Sequence, residues 1–355
     1  MITAYAHSPK NIWIYIFNTN YFKMGMKRKL AGQEPDIERS MYKMKFRRLG
    51  GTGLKVSEIS LGSWLTYGGY VERDNAVKAI ETAYGLGVNF FDTANVYEKG
   101  AAEKVLGETL RGFPRESYVL ATKVYGVMGD GPNDRGLSRK HITEQCHASL
   151  KRLGEDYVDL LYCHRYDPET PIEETLRALD DLVRQGKVLY VGVSEWTAAQ
   201  MAEALAVADR YLLDHIVVNQ PVYNMFERYI EKEIIPLGMR KGIGQVVFSP
   251  LAQGLLTGKY SSVSDIPEDS RAAKLDWMRK GITEEKIAKV RGLGAIAAEL
   301  NISVGNLALA WILRQPNVAS ALVGASRPEQ VEENVLASGI ELSDDVLTAI
   351  EAIIS

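Results

Sequence analysis

A single (β/α)8 TIM barrel is the fold this sequence predicts, and three observations predict it. Eight short, β-rich apolar runs alternate with longer segments of helical period after Met44. The runs are almost continuously apolar rather than alternating, as strands of a parallel sheet covered on both faces are. No Pro- or Gly-rich linker divides the array, and eight β-then-α units in about 310 residues suit a closed barrel. A doubly wound open sheet is the alternative on pattern alone.

Taken in order, residues 1–43 read as an extension outside the fold. "NIWIYIFNTNYF", Asn11–Phe22, is aromatic and asparagine-rich. Its apolar centre, Ile12 to Phe17, is shorter than the roughly 7–15 residues of a signal-peptide core, and no small-residue cleavage site follows. The extension is read as an unstructured tail or as a product of start-site choice, since Met41 and Met44 both precede the ordered-looking chain. Residues 44–355 read as one domain. It opens on "FRRLGGTGLKVSEI", a hairpin with a Gly-rich turn ahead of the first barrel strand. The strands are expected at Ile59–Leu61, Val88–Phe91, Tyr118–Thr122, Tyr157–Cys163, Val188–Val193, Ile216–Asn219, Gln245–Ser249 and Ala319–Val323. A helical segment is expected after each. Asn75–Leu86 puts Ala76, Val77, Ile80, Ala83 and Tyr84 on one face. Ser138–Leu153 opens on a residue suited to cap it. Pro171 suits a first helical turn, with Glu173 and Glu174 beside the positive end of the helix dipole. Lys286–Leu300 and Val304–Arg314 are further helices.

Composition narrows the function. Of the 355 residues 46% are hydrophobic and 25% charged, ordinary for a soluble globular protein. A formal net charge of −3 gives no general attraction to nucleic acid or to an anionic membrane. No apolar stretch approaches the roughly 20 residues needed to span a bilayer. Cys146 and Cys163 make no disulfide framework, which predicts a reducing, cytoplasmic setting. The five histidines form no H-x-x-x-H pair and have no cysteine pair to assist them, so no metal site is expected. G-x-S-x-G and Walker A patterns are absent, against serine hydrolase and P-loop chemistry.

A barrel carries its chemistry at the C-terminal ends of its strands. The second expected strand runs into Asp92, the third into Lys123 and the fourth into His164, and Tyr97 lies five residues beyond Asp92. Singly, such residues are most often caps or structural groups. Together, an acid, a base, an imidazole and a phenol face one pocket mouth. Tyrosine, with an unperturbed pKa near 10, is a reluctant proton donor at neutral pH. A neighbouring ammonium stabilises phenolate and lowers that pKa. Lys123 is placed to do so, Asp92 to keep Lys123 charged and oriented, and His164 to orient a substrate oxygen. A phenol so placed protonates an oxygen on which negative charge builds, as a carbonyl accepting hydride requires.

No amino acid donates hydride, so a cofactor must. The usual dinucleotide fingerprint is missing. "GLGAIA", Gly292–Ala297, fits its spacing formally but follows "KIAKVR" rather than a strand and lies inside a helical period. "GASRPEQVEEN", Gly324–Asn334, offers instead a small-residue turn into a helix, whose first amides suit phosphate oxygens, with Arg327 as a bidentate donor. "SPLAQGLLTGKY", Ser249–Tyr260, adds a flexible loop bearing Lys259. The stretch on to about Lys280 has little regular pattern.

These motifs, with "LGSW", "FFDTANVY", "ATKV", "SLKRLGEDYVDLLYCHRYDPETPIEETLRAL" and "GKVLYVGVSEW", resemble the aldo-keto reductase superfamily, in its branch of bacterial reductases related to potassium-channel β subunits. The resemblance runs from Phe46 to about Ile354. It implies an NADPH-dependent carbonyl reductase whose catalytic tetrad falls on Asp92, Tyr97, Lys123 and His164. It implies NADP(H) contacts at Ser194 and Gln220, with Phe248 against the nicotinamide and Asp92 close by. Ser249, Pro250, Leu251, Gln253, Gly254 and Lys259 match a pyrophosphate loop, and Arg271 in "DSRAAK" a basic residue of the same branch. Gly324, Ser326, Arg327, Gln330, Glu333 and Asn334 match the adenosine end, where Ser326 and Arg327 favour a 2′-phosphate. Gly62, Ser63 and Trp64 line the start of the pocket. Trp64, Tyr70, Tyr125 and Trp196 are expected as apolar walls for a small carbonyl substrate.

The chain departs from the pattern at Glu195, where many members have Asn. Channel β subunits tend to have Asn at the position of His164, and the histidine favours a working reductase over a redox-sensing regulatory subunit. A barrel hydrolase or isomerase using Asp92 and His164 without a nucleotide is a third reading. Homo-oligomerisation is left open.

Overall fold

The computed structural model describes residues 44–64, 67–69, 71–267, 270–274 and 276–355, with the side chains of Arg271, Lys274, Asp276 and Trp277 excepted. The extension over residues 1–43, Tyr70 and the Arg271 side chain therefore lie outside the described residues.

The apolar runs become eight parallel strands closed into a barrel. Strands β1 (Phe46–Arg48) and β2 (Lys55–Ser57) form an antiparallel hairpin ahead of it. The barrel strands are β3 (Ile59–Gly62), β4 (Phe90–Asp92), β5 (Val119–Val124), β6 (Val158–Cys163), β7 (Val188–Ser194), β8 (Ile216–Gln220), β9 (Gly244–Phe248) and β10 (Val318–Gly324). They follow one another round the ring in sequence, and β10 closes it by pairing with both β9 and β3. Each expected strand lies within about two residues of an observed one, because continuous burial leaves little choice about where an apolar run must sit. β5 and β6 are buried at all six positions.

Helices cover the outside. They are α1 (Arg73–Gly85), α2 (Ala101–Leu110), α3 (Arg139–Leu153), α4 (Ile172–Arg184), α5 (Ala198–Tyr211) and α6 (Ile234–Lys241), then α7 (Arg271–Lys274), α8 (Asp276–Lys280), α9 (Glu284–Glu299), α10 (Val304–Leu313), α11 (Pro328–Val335) and α12 (Asp344–Ile354). Side-chain caps set several starts. The Ser138 hydroxyl accepts from the His141 amide at 3.2 Å, and Thr197 with Gln200 forms a reciprocal capping box. "GLGAIA" lies within α9, and the weakly patterned stretch before Lys280 holds the two short helices α7 and α8.

The hairpin packs against the strand starts. Leu49, in its turn, is fully buried with Val56, Phe90, Tyr162, Val218 and Val246 in the central core. Gly50 has φ +57, and a Cβ there would come within 2.3 Å of the Gly242 carbonyl oxygen. Only glycine allows the turn to lie that close to the backbone entering β9. With this end filled, the strand termini at the other end remain to form a site. Among the described residues no single helix is long and apolar enough to cross a membrane.

Candidate active site

Every barrel strand delivers a polar, small or aromatic residue to the same rim. β3 ends on Gly62, β4 on Asp92, β7 on Ser194, β8 on Gln220, β9 on Phe248 and β10 on Gly324, while Lys123 is the penultimate residue of β5 and His164 follows β6. These ends surround a cavity of about 900 Å³. Its reacting end is lined by Trp64, Asp92, Val96, Tyr97, His164 and Arg165. Among the described residues no group of three or more His, Cys, Asp or Glu is placed to hold a metal ion.

Local backbone explains how Tyr97 returns over Asp92. After β4 the chain continues alongside β5, with the Thr93 amide on the Ala121 carbonyl and the Asn95 amide on the Lys123 carbonyl. A 3-10 turn then begins at Tyr97. Glu98 and Lys99 take left-handed φ of 46° and 50°, and Gly100 follows at 89°, swinging the chain into α2. The phenol is left facing the ammonium of Lys123, 3.4 Å away. Lys123 also donates to the Thr93 carbonyl at 2.8 Å and forms an ion pair with Asp92. The Asp92 and Lys123 side chains are 1% and 0% exposed, so neither charge has water as an alternative partner. The second Asp92 oxygen accepts from Gln220 Nε2 at 2.9 Å. The His164 ring meets the Tyr97 ring edge-on, with centroids 5.6 Å apart.

The electrostatics follow from that burial. Desolvation pushes the Tyr97 phenol above its usual value, and Lys123 pulls it back only in part, so the phenol keeps its proton at neutral pH. The expectation that Lys123 lowers this pKa holds for the direction of its pull but not for the net result. Burial alone would lower Lys123, but Asp92 and then Tyr97 outweigh it and the ammonium is raised. Burial raises Asp92 against the opposing pull of Lys123 and Gln220. Since the Lys123 amine is a stronger base than the Asp92 carboxylate, the proton stays on lysine and the pair stays ionised. Burial, then Lys123 and Arg165, hold His164 well below the usual imidazole range. A neutral imidazole has one N–H to offer a substrate oxygen. Cys163, beside it in sequence, is buried and its thiol is pushed up to about 12, so it stays an inert thiol.

The rest of the cavity runs along the ends of β9 and β10. Phe248, Ser249, Pro250, Leu251, Gln253, Gly254 and Lys259 line one wall, and Gly324, Ser326, Arg327, Gln330, Glu333 and Asn334 the other. Ser249, Ala252, Gln253 and Gly254 all have positive φ, a cluster of backbone conformations that persists only where surroundings enforce it. One enforcing contact is Asn224 Nδ2, which donates to the Ser249 carbonyl at 3.1 Å. A Cβ on Gly254 would come within 3.2 Å of the Lys259 ammonium, so the lysine lies across the open face of the glycine. On the other wall the Ser326 amide and hydroxyl are held by Gln330 Oε1 at 2.8 and 3.1 Å, next to the start of α11. An elongated cavity with a lysine-covered turn, an arginine and a helix N-terminus fits a dinucleotide carrying several phosphates.

Some sequence expectations land elsewhere. Ser63 is 1% exposed and does not line the cavity; it sits behind Gly62 and Trp64, with its amide on the Asp92 carbonyl. Trp196 is buried too, packed edge-on against Tyr166, and Tyr125 is also off the cavity, so of the four expected aromatic walls Trp64 is the one found there among the described residues. Ser194 lines the cavity, but its hydroxyl donates to the Gln220 carbonyl at 2.8 Å. Glu195 turns away. Its φ is +59, and its carboxylate accepts from the Val222 amide at 2.6 Å and the Tyr229 hydroxyl at 3.1 Å. It ties down the loop after β8 instead of facing the cavity. Sequence reasoning missed the brace from Gln220 to Asp92, and it gave no role to Arg165 although that residue directly follows His164 at a strand end.

Comparison with known proteins is consistent across nearly the whole described chain. Residues 58–355 match the model of the aldo/keto reductase family. A probable voltage-gated potassium channel subunit beta of Arabidopsis thaliana is 45% identical over 319 residues, covering 88% of this chain and 97% of that protein. A protein of the same description from Oryza sativa subsp. japonica is 43% identical over 319 residues, with the same coverage. A putative voltage-gated potassium channel subunit beta of Schizosaccharomyces pombe is 42% identical over 323 residues, covering 87% of this chain and 93% of that protein.

Proposed function

The chain belongs to the aldo/keto reductase family, and on that footing we propose that it reduces aldehydes and reactive ketones to alcohols with NADPH, Tyr97 serving as general acid. The observation that carries this reading is the half-buried Tyr97 set on the buried pair Lys123 and Asp92, facing His164 across one cavity. NADPH, when bound, supplies the hydride for the carbonyl carbon. The residues of the chain do the rest. His164, neutral, donates one hydrogen bond to the carbonyl oxygen and fixes its position. Tyr97 gives its proton to that oxygen as charge builds there. Lys123 stabilises the phenolate left behind, and Asp92, braced by Gln220, keeps the ammonium in place. Trp64 walls the substrate side. Lys259 and Arg327 would hold cofactor phosphates, Arg327 favouring a 2′-phosphate, and Phe248 would lie against the nicotinamide. General acid catalysis of this kind contributes about 10²–10⁴ in rate.

A second reading has one observation in its favour: relatives spanning nearly the whole chain are named as potassium channel β subunits. It makes the protein an NADPH-binding regulatory subunit with little turnover. One experiment separates the two. NADPH oxidation is followed against a panel of aldehydes, with Tyr97→Phe in parallel. The reductase reading expects turnover that falls by about 10²-fold or more in the variant. Equal turnover by both proteins removes Tyr97 from the chemistry. NADPH binding without turnover in either favours the regulatory reading.

A further inference from the structure

Arg165 is a cation at the reacting end of the cavity that none of the steps above uses. It follows His164 and lines the cavity beside Tyr97. One edge of its guanidinium is pinned: Nη1 donates to the His164 carbonyl at 2.6 Å and reaches the Ser194 hydroxyl at 3.5 Å. Through Nη1 the exposed guanidinium is thus held beside the ends of β6 and β7. Among the described residues no carboxylate stands within ion-pair distance of it. The nearby acids are Glu195 and Glu98. Glu195 is bound to the Val222 amide and the Tyr229 hydroxyl. Glu98 also lines the cavity, and its carboxylate lies against Gly69, where a Cβ would meet its Oε1 at 2.7 Å.

Arg165 is also on the wrong side of the barrel for the cofactor phosphates. The ring runs β10-β3-β4-β5-β6-β7-β8-β9. β6 is therefore four steps from β10 in either direction round eight strands, directly across from the turn that bears Arg327. Lys123, the other cation at this end, is already paired with Asp92. We infer that Arg165 binds a carboxylate carried by the carbonyl substrate, and so selects oxoacids and carboxyaldehydes over neutral carbonyls. A guanidinium presents a planar fork that matches a carboxylate with two parallel bonds. Because Tyr97 and His164 adjoin it, a carboxylate on Arg165 leaves a carbonyl a few atoms away over the phenol.

The kinetic form of this inference rests on the reductase reading, and its binding form does not. The test compares 4-carboxybenzaldehyde with its methyl ester as substrates for the wild type, Arg165→Gln and Arg165→Lys. The wild type should prefer the acid in kcat/KM by tenfold or more. Arg165→Gln should lower that preference by about 10–100-fold, through KM more than kcat, with Arg165→Lys between because it keeps charge and loses the fork. In parallel, 4-carboxybenzyl alcohol and its methyl ester, which have no carbonyl to accept hydride at the benzylic carbon, are titrated by calorimetry against the protein with NADPH. Tighter binding of the acid, lost in Arg165→Gln, sustains the inference even where neither aldehyde turns over, an outcome that sinks the reductase reading alone. Equal binding of acid and ester, or an acid preference that survives Arg165→Gln, overturns it. Glyceraldehyde 3-phosphate against glyceraldehyde is the phosphate arm, and a preference confined to the phosphate overturns the assignment to carboxylate.

Discussion

Tyr97 can protonate a carbonyl oxygen only while it still holds a proton, and its surroundings bear on that before they bear on anything else. Burial raises the phenol, and the ammonium 3.4 Å away opposes the rise without cancelling it. His164 is held neutral by burial and by the positive charges of Lys123 and Arg165. The signs give a pH profile. The active form has Tyr97 protonated, so reduction is lost only as pH climbs through a phenol pKa above its ordinary value near 10. The active form also has His164 neutral, which holds at every pH above a pKa lying well below 6.5. For the proposed reductase, kcat for carbonyl reduction should therefore be flat from about pH 6 to 9. Steady-state kinetics across that range checks it. An inflection near pH 6.5 that disappears in His164→Asn would mean that the imidazole titrates during turnover, contrary to the neutral role assigned to it.

Between elements the tightest constraint is the contact of α2 with α3, the two helices that flank the strands carrying Asp92 and Lys123. A Cβ at Gly107 of α2 would stand 2.0 Å from the Leu153 carbonyl oxygen and 2.6 Å from its carbonyl carbon. Helix propensity favours Gly107→Ala by about 1 kcal/mol, but overpacking against backbone costs about 1–3 kcal/mol and should win. The expected result is a lower urea midpoint at unchanged slope. A higher midpoint would show that the helices separate without cost. Nothing in the sequence announced this contact, because a glycine inside a helical period is silent about which backbone approaches it. The strands were legible for the opposite reason, since a buried run such as Val158–Cys163 has one tolerable environment. The rim residues were legible because Asp92, Lys123 and His164 are polar groups closing apolar runs. Their side-chain directions were not. Glu195 turns away on a left-handed φ of 59°, Trp196 then points inward, and Ser63 falls behind its neighbours, all of which depend on turns no local pattern reveals. The brace from Gln220 to Asp92 joins residues 128 positions apart.

At the scale of the molecule, the barrel divides its labour between its two ends. The hairpin of β1 and β2 covers the strand starts, and Glu58 ties it to the far end of the chain, accepting from Arg47 at 2.7 Å, the Ser338 hydroxyl at 2.9 Å and the Gly339 amide at 2.9 Å. Leu49 and Val56, both fully buried in the central core, are side chains this hairpin inserts among the strands. The groups of the proposed chemistry sit at the other rim, where Asp92 is held by Lys123 of β5 and by Gln220 of β8 across the barrel, and not by the hairpin. Stability and activity should therefore separate. Leu49→Ala should cost about 2–5 kcal/mol, the range for truncating a buried leucine whose surroundings relax incompletely. Urea denaturation would read that loss as a shifted midpoint. At 25 °C, where the variant remains folded, its kcat/KM for an aldehyde that the wild type turns over should stay within about twofold, because the ladder from β3 to β10 holds the rim. A fall in kcat/KM without a fall in stability would mean that packing at the strand starts is transmitted along the barrel to Tyr97.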